Sequence, residues 1–425
     1  MSINGALNSA VSGLSAQATA MAVIADNLAN SETYGYKAVS TSFSTLVTEQ
    51  MSGNSYSSGG VRATPRQAVG GQGLIESSNS STHLALDGNG MFACTDSVNG
   101  NVLYFTRNGE FSINQDGYMV NGSYYLQGWE LDQNGKVAVS NANSASSLSP
   151  INLSAFNSSA AATDEVGIQA NLPASATVGD TFTTAVEVYD SLGTAHTVSV
   201  TWTKTAANEW SAGFSDPTLA TDNGTTTGTI SGGPITITFD GDGLLDSYSP
   251  NPASIGITGW TTGASDSTIA LDLGTSGKTD GLTQYAPDAD DDIQVSVRTI
   301  SQNGLQYGTM NGVEILKNGT VVAHYDNGDE VAIYKIPVST FTNYNGLTLN
   351  RDGFYEETYG SGNYTLNEAG TGSAGEVSGS SLEASTVDTA DEFSKMIVSQ
   401  QAYSAASQMI STCDDMYDDL MSAVR

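Results

Sequence analysis

The sequence predicts an α+β fold in which terminal α-helices pair as a coiled coil, with two nested, mainly antiparallel β domains between them. Three observations predict it. Apolar residues recur at alternating steps of four and three through the first 30 residues and again through the last 30. Between these ends the periodicity changes to short alternating or apolar runs divided by Asn-Gly and Asp-Gly pairs, residues that tolerate the positive backbone angles of tight hairpins. The middle third differs from its flanks in texture and in charge.

The first apolar seam runs Leu7, Leu14, Met21 and Leu28, with Val11, Ala18 and Ala25 between them, and Ile3 and Ile24 widen it. Asn4, Asn8, Ser12 and Gln17 lie off it. No proline precedes Pro65, and turn formers from Asn30 to Gly35 predict the helix end. Residues 1–72 are read as this helix and its linker, with the Gly/Ser-rich stretch Ser52–Gly60 as a flexible joint. Residues 73–150 form the first segment of an inner β domain, with turns expected at Asp87-Gly88, Asn108-Gly109, Asp116-Gly117, Asn121-Gly122 and Asn134-Gly135.

Residues 151–300 carry 18 acids against 3 bases. Thr- and Val-rich runs at Thr181–Tyr189, Thr197–Thr203 and Pro234–Phe239 predict strands, so this segment is read as a separate acidic β domain inserted into the first. Residues 301–379 return to the inner domain, with turns expected at Asn303-Gly304, Asn311-Gly312, Asn318-Gly319, Asn327-Gly328, Asn345-Gly346 and Asp352-Gly353. Gly370–Ser381 reads as a second flexible joint. Residues 380–425 form the closing helix, with Met396, Tyr403, Ile410, Tyr417 and Val424 seven apart and Ser399, Ala406, Cys413 and Leu420 interleaved. Thr389 and Glu392 fit a capping box, with Asp388 as a competing N-cap. The two seams predict pairing of the helices with each other or across subunits.

Composition narrows the function. The 425 residues hold 45 acids and 13 bases, a formal charge of −32, and such a field repels phosphate backbones and anionic headgroups. Nucleic-acid binding and membrane insertion are not expected, and no run approaches the roughly 20 apolar residues that span a bilayer. The first base is Lys37, so the start lacks the basic, apolar layout of a cleaved signal peptide. Cys94 and Cys413 are read as free thiols. His83, His196 and His324 are scattered, with no metal-ligand spacing and no cofactor implied. No catalytic group assembles, so no enzyme is expected. Gly274, Gly277, Lys278 and Thr279 miss the spacing of a phosphate loop. Asp240, Asp242 and Asp246 invite calcium, but Leu244 occupies a ligand position and a hairpin turn is the plainer reading. Asp288 and Asp290–Asp292 read as a solvated face.

The turn after the first helix includes Asn27, Leu28, Ala29, Asn30, Thr33, Gly35, Tyr36 and Lys37, and it closely resembles a signature of the bacterial flagellar rod and hook family. A second signature is resembled by Leu382, Glu383, Val387 and Asp388 with the helix that follows. Gly71-Gln72-Gly73, Leu84–Phe92, Phe105–Phe111 and Leu126–Trp129 are similar to the family's shared β domain, and Phe341–Leu347 with Tyr355–Thr358 to its hook members. Thr386 and Thr389 depart from the usual Asn and apolar residue.

A large insertion resembles hook members more than rod members. The resemblance implies a structural subunit of the flagellar hook: a self-assembling extracellular tube that works as a flexible universal joint, passing torque from rod to filament. It further implies export by the flagellar type III apparatus without a cleaved signal, and partners in the distal rod, hook cap and hook-filament junction. The alternatives are a distal rod subunit, or a secreted calcium-dependent β-rich adhesin, which would not explain the paired terminal heptads.

Overall fold

A computed structural model describes residues 3–46, 59–132, 135–137, 143–287 and 293–423. Val424, Asn134, most of the stretch 52–60 and the acids at 288 and 290–292 lie outside the described residues. Two long helices, α1 (Ile3–Ala29) and α2 (Thr389–Ala423), stand at the two ends, and almost everything between them is β structure.

The helices run antiparallel. Tyr417 Oη donates to Asn4 Oδ1 at one end of the pair, and Asn27 Nδ2 donates to Glu392 Oε2 at 3.2 Å at the other. Strands β1 (Val39–Thr45) and β2 (Val61–Gln67) form an antiparallel ribbon that lies against α1. Two α1 serines fasten it, Ser9 Oγ donating to the Gly59 carbonyl and Ser12 Oγ accepting from Val61 N at 3.2 Å. Gly60 is required at that crossing, because a Cβ there would sit 2.6 Å from Ser12 Oγ.

At the start of α2 the capping box gives way to the competing residue. Asp388 Oδ1 accepts from Ala390 N at 2.9 Å and Asp391 N at 3.2 Å, so the carboxylate of Asp388, rather than the Thr389 hydroxyl, meets the free amides. Asp388→Ala is expected to cost about 1 kcal/mol, read as a small drop in urea midpoint with fraying confined to the first turn.

The inner β core draws on chain segments from both sides of the insert. Met91–Thr95 lies at its centre and pairs with Tyr104–Thr106, Tyr124–Glu130 and Pro337–Thr340. Leu84, Leu86, Phe92, Phe111, Leu126, Val321 and Val338 fill the interior, joined by Ile151 and Leu153. Asp116-Gly117, Asn121-Gly122, Asn318-Gly319, Asn327-Gly328 and Asp352-Gly353 make turns with positive glycine φ. Four pairs do otherwise: Asn345-Gly346 lies in the short 3-10 helix Tyr344–Gly346, Asn108-Gly109 has no positive glycine φ, and the other two are Asn311-Gly312 and Asn303-Gly304. Gly312 lies inside strand Met310–Ile315 at a register shift, where the extra residue is absorbed as a bulge. Asn303-Gly304 belongs to the connection between the two β cores.

The outer core packs a five-stranded and a seven-stranded sheet around Val166, Val200, Trp202, Trp210, Ile237, Ile257 and Trp260. Strict alternation in Ala195–Ala206 explains why that strand buries one face. Thr181–Tyr189 and Ile235–Phe239 are strands as expected. The chain enters and leaves this unit side by side: Ser158 bridges Thr309 and Ala161 bridges Leu305, and Ser159 Oγ donates to the Gln306 carbonyl.

The stretch 370–381 is not a flexible joint. Glu376–Gly379 pairs with Leu84–Asp87, and Ser381–Glu383 pairs with Ile75–Ser77. Val377 and Leu382 supply the reason, since both are buried and outweigh the local Gly/Ser content.

Candidate functional site

Two features of the fold stand out, and both involve the chain ends. The first is the pair of helices. Within the chain α1 buries Ala10, Ala16, Ala20, Val23, Ile24 and Asn27. The alanines let α2 and the ribbon approach closely. The predicted seam lies elsewhere: Leu7, Leu14, Met21 and Leu28 are half-buried, Ala18 and Ala25 are exposed, and Val11 is 51% exposed. At about 100° per residue its centre stands roughly 140° around the helix from the buried face. Ile24 faces the interior instead of widening the seam.

On α2 the predicted seam largely faces inward. Ser399 and Cys413 are buried, and Met396, Ala406, Ile410 and Tyr417 are half-buried. Tyr403 and Leu420 are exposed, at 39% and 54%. Val398, Met409 and Met416 continue Leu420 into a second apolar stripe open to solvent, with Phe393 and Ile397 on the other side. A helix pair in water normally covers such residues; these are left uncovered.

The second feature is a buried ionic junction where α1, α2 and the inner β core meet. Lys37 and Glu383 are fully buried and Arg107 nearly so. Lys37 Nζ lies 2.5 Å from Glu383 Oε1 and Arg107 Nη1 lies 3.1 Å from Oε2. Backbone groups supply most of the remaining partners, while Arg107 Nε is buried without one. Lys37 Nζ donates to the Gly71 carbonyl, Arg107 Nη2 to the Gly88 carbonyl, and Gly73 N to Glu383 Oε1. Burial pulls the Lys37 ammonium below its ordinary range and the neighbouring Arg107 charge adds to this, against the opposing pull of Glu383.

The other signature residues complete the weld. Asn27 holds the start of β1 through Val39 N to Oδ1 at 2.9 Å and Nδ2 to the Val39 carbonyl at 2.7 Å, and it receives the Tyr36 hydroxyl. Gly35 N donates to the Glu383 carbonyl at 2.7 Å with φ +70°, and a Cβ there would meet Asn108 N at 2.6 Å. Asn30 Oδ1 accepts from Thr33 Oγ1 in the turn. Thr386, a departure from the usual Asn, still bonds the N-terminal turn: its Oγ1 accepts from Ala38 N and its own N donates to the Tyr36 carbonyl. Leu382 is buried beside Glu383, Leu28 and Val387 are half-buried, and Ala29 is exposed. Arg107 is the junction member that spacing could not reveal, because its partner lies 276 residues away.

Sequence reading also missed a Thr227–His196–Asp190 chain. His196 Nε2 is 3.2 Å from Asp190 Oδ2, its Nδ1 is 2.8 Å from Thr227 Oγ1, and Trp260 lies over the ring. All three are buried, so the arrangement packs the outer core and reaches no solvent. Burial pushes the Asp190 carboxyl up, but hydrogen bonds from Thr262, Thr194, His196 and Leu192 outweigh it and hold the group below its ordinary value. The stability it contributes is present above an unfolded pKa of about 3.9 and is lost as pH falls through the lower folded value. Near-ultraviolet dichroism of the outer-core tryptophans is expected to be flat from pH 7 to about 5 and to weaken as pH falls below about 4; Asp190→Asn reduces that acid dependence.

Asp240 Oδ1 accepts from Asp242 N and Leu244 N and so serves its own hairpin. Among the described residues no group of three or more His, Cys, Asp or Glu side chains could hold a metal ion. Cys94 is buried, which pushes its thiol well above the ordinary range. No helix among the described residues is long and apolar enough to cross a membrane.

Comparison with known proteins follows the same layout. Residues 7–37 match the family described as Flagella basal body rod protein, and residues 85–171 the Flagellar hook protein FlgE/F/G D1 domain. Residues 156–305 match the Flagellar basal body protein FlaE D2 domain, and residues 378–423 the Flagellar basal body rod FlgEFG protein C-terminal family. The chain is 32% identical over 428 residues to the flagellar hook protein FlgE of Rhizobium meliloti (strain 1021), covering 100% of both. It is 29% identical over 421 residues to that of Salmonella typhimurium (strain LT2), covering 97% of this chain and 98% of the relative. A crystal structure of Helicobacter pylori flagellar hook protein FlgE2 aligns at 14% identity and a TM-score of 0.49, over 71% of this chain and 98% of that one.

Proposed function

The chain belongs to the bacterial flagellar hook protein family, and from that premise we propose how it works as a structural subunit of the hook. Copies assemble into a helical tube whose inner wall is built from α1 and α2. The observation that carries this is the part-open seam of α1: Val11 is exposed, and Leu7, Leu14, Met21 and Leu28 are only half-covered by their own chain. Heptad spacing on such a stripe suits a second helix, and the exposed α2 stripe through Val398, Met409 and Leu420 offers one on the next copy. The antiparallel pair within each subunit then acts as a coiled-coil unit that neighbours extend.

In this reading the tube is a universal joint. Apolar packing keeps the inner wall continuous while the polar outer units exchange contacts, since exposed polar pairs are worth only about 0–1 kcal/mol each. The buried junction holds the helices to the inner β core, so that twist applied to one reaches the other. Bending is assigned to the paired crossing at Ser158–Ala161 and Leu305–Thr309. The division into an inner helical domain, an inner β domain from two segments and an outer acidic β domain belongs to the same proposal. So do an extracellular location, export without a cleaved signal, and binding to the distal rod, hook cap, hook-filament junction and type III export apparatus.

Electron microscopy of detached flagellar bases labelled with an antibody to residues 156–305 tests the assignment. Label along a curved tube between rod and filament is expected; label confined to a straight segment inside the envelope would indicate a rod subunit instead. Deleting residues 157–308 is expected to leave a tube of altered curvature or stiffness, and failure to polymerise would show that the outer unit is part of the assembling wall.

A further inference from the structure

The loop after strand Tyr355–Glu356 presents Tyr359 at 105% relative exposure, beyond that of any other large apolar side chain among the described residues. Lone exposed aromatics are ordinary on protein surfaces. This one stands on an immobilised support. Thr358 Oγ1 donates to the Gly346 carbonyl, Gly360 N donates to Thr358 Oγ1, and Ser361 Oγ donates to the Thr358 carbonyl. From the facing loop, Asn343 Nδ2 donates to the Gly360 carbonyl at 3.0 Å and Asn343 N to the Ser361 carbonyl at 3.1 Å. The backbones touch so closely that a Cβ on Gly346 would lie 2.4 Å from the Gly360 carbonyl carbon. Ser361 is buried beneath. A loop fixed on both sides of a tyrosine that touches nothing has already met the ordering cost of a contact.

Charge narrows what receives it. Glu356 and Glu357 flank the tyrosine and are exposed, so the lip is acidic as well as aromatic. A chain of net charge −32 repels its own copies, and any contact between copies needs its scarce bases in the right place. Of the 13 bases, Lys37, Arg107, Lys335 and Lys395 are committed to ion pairs within the chain. Of the exposed bases without an ion pair among the described residues, which also include Lys136, Lys278, Arg298, Lys317 and Arg351, only Arg62 and Arg66 share one element, four residues apart and therefore on one face of β2. Pro65 beside them offers no N–H, so the ribbon edge there is poorly suited to adding another strand, and the side chains are what it presents.

We infer that Tyr359, with Glu356 and Glu357, is a docking knob that seats against the Arg62/Arg66 face of β2 in a second copy of this chain. An arginine stacks on the phenol ring while the carboxylates pair with the guanidinium groups. The inference rests on the hook reading, and it names a side-by-side contact separate from the helical stripes.

The test places the photoreactive p-benzoylphenylalanine at position 359 of the otherwise unchanged full-length chain and irradiates assembled tubes. Covalent dimers are expected, with the adduct mapping by mass spectrometry to residues 61–67. Tyr359→Ala is expected to leave monomer melting unchanged and to raise the concentration needed for polymerisation about tenfold. Arg62→Glu with Arg66→Glu should weaken assembly comparably, and Glu356→Lys with Glu357→Lys in the same chain should restore it. Tubes that yield no dimers, adducts mapping elsewhere, or a Tyr359→Ala chain that polymerises normally would overturn the contact while leaving the hook reading intact. If the unmodified chain forms no tubes, both fall together.

Discussion

Glu383→Ala is expected to destabilise the isolated subunit by about 3–5 kcal/mol, because it strands Lys37 and Arg107 as buried cations without a counter-charge. Burial already disfavours the charged Lys37, and Glu383 opposes that through both charge and a hydrogen bond. Removing the carboxylate also frees Gly73 N and leaves the two cations repelling each other. Equilibrium urea unfolding of the monomer reads the loss. Glu383→Gln keeps an acceptor and most of the shape and should fall between Ala and the native chain. An alanine variant as stable as the native chain would mean that the triad merely fills space. Because the triad ties the helices to the inner β core, loss of the α1–α2 signal before the β core unfolds is the expected order.

Leu14→Asp is expected to abolish polymerisation while costing the monomer about 1–2 kcal/mol. The residue is half-buried on the seam, so its own chain covers only part of it. In a packed seam an unpaired carboxylate is costly, whereas on a free surface it is not. Ile410→Asp makes the contrast, since Ile410 lies on the α2 face turned towards α1, and it should lower both monomer stability and assembly. Sedimentation and calorimetry on the two variants separate the effects. A Leu14→Asp chain that still forms tubes removes the stripe from the assembling surface.

The helices were legible because heptad spacing is local, and so were the hairpins, whose Asp-Gly and Asn-Gly pairs need only neighbours to act. Asn311-Gly312 shows where that stops: the dipeptide is turn-forming, but it lies within the edge strand Met310–Ile315, whose hairpin to Thr320–Tyr325 turns at Asn318-Gly319 instead. The stretch 370–381 failed because its partners are remote: Val377 and Leu382 find strands near residues 76 and 86 that composition cannot see. For the site, the resemblance marked Asn27, Gly35, Lys37 and Glu383 without saying what they do. Their role depends on side chains meeting across some 350 positions, and Arg107 was invisible as their third member. Heptad periodicity located two apolar stripes but could not say which face of α1 the chain keeps for itself, because the small residues Ala10, Ala16 and Ala20 carry that contact.

The side-by-side crossing at Ser158–Ala161 and Leu305–Thr309 has an evolutionary consequence. An entry and an exit only a few ångströms apart form a standard socket, into which any compact module with adjacent termini can be grafted without disturbing the rest. The size and surface of the inserted unit can therefore change without altering the strand pairings of the inner β core or the contact between α1 and α2.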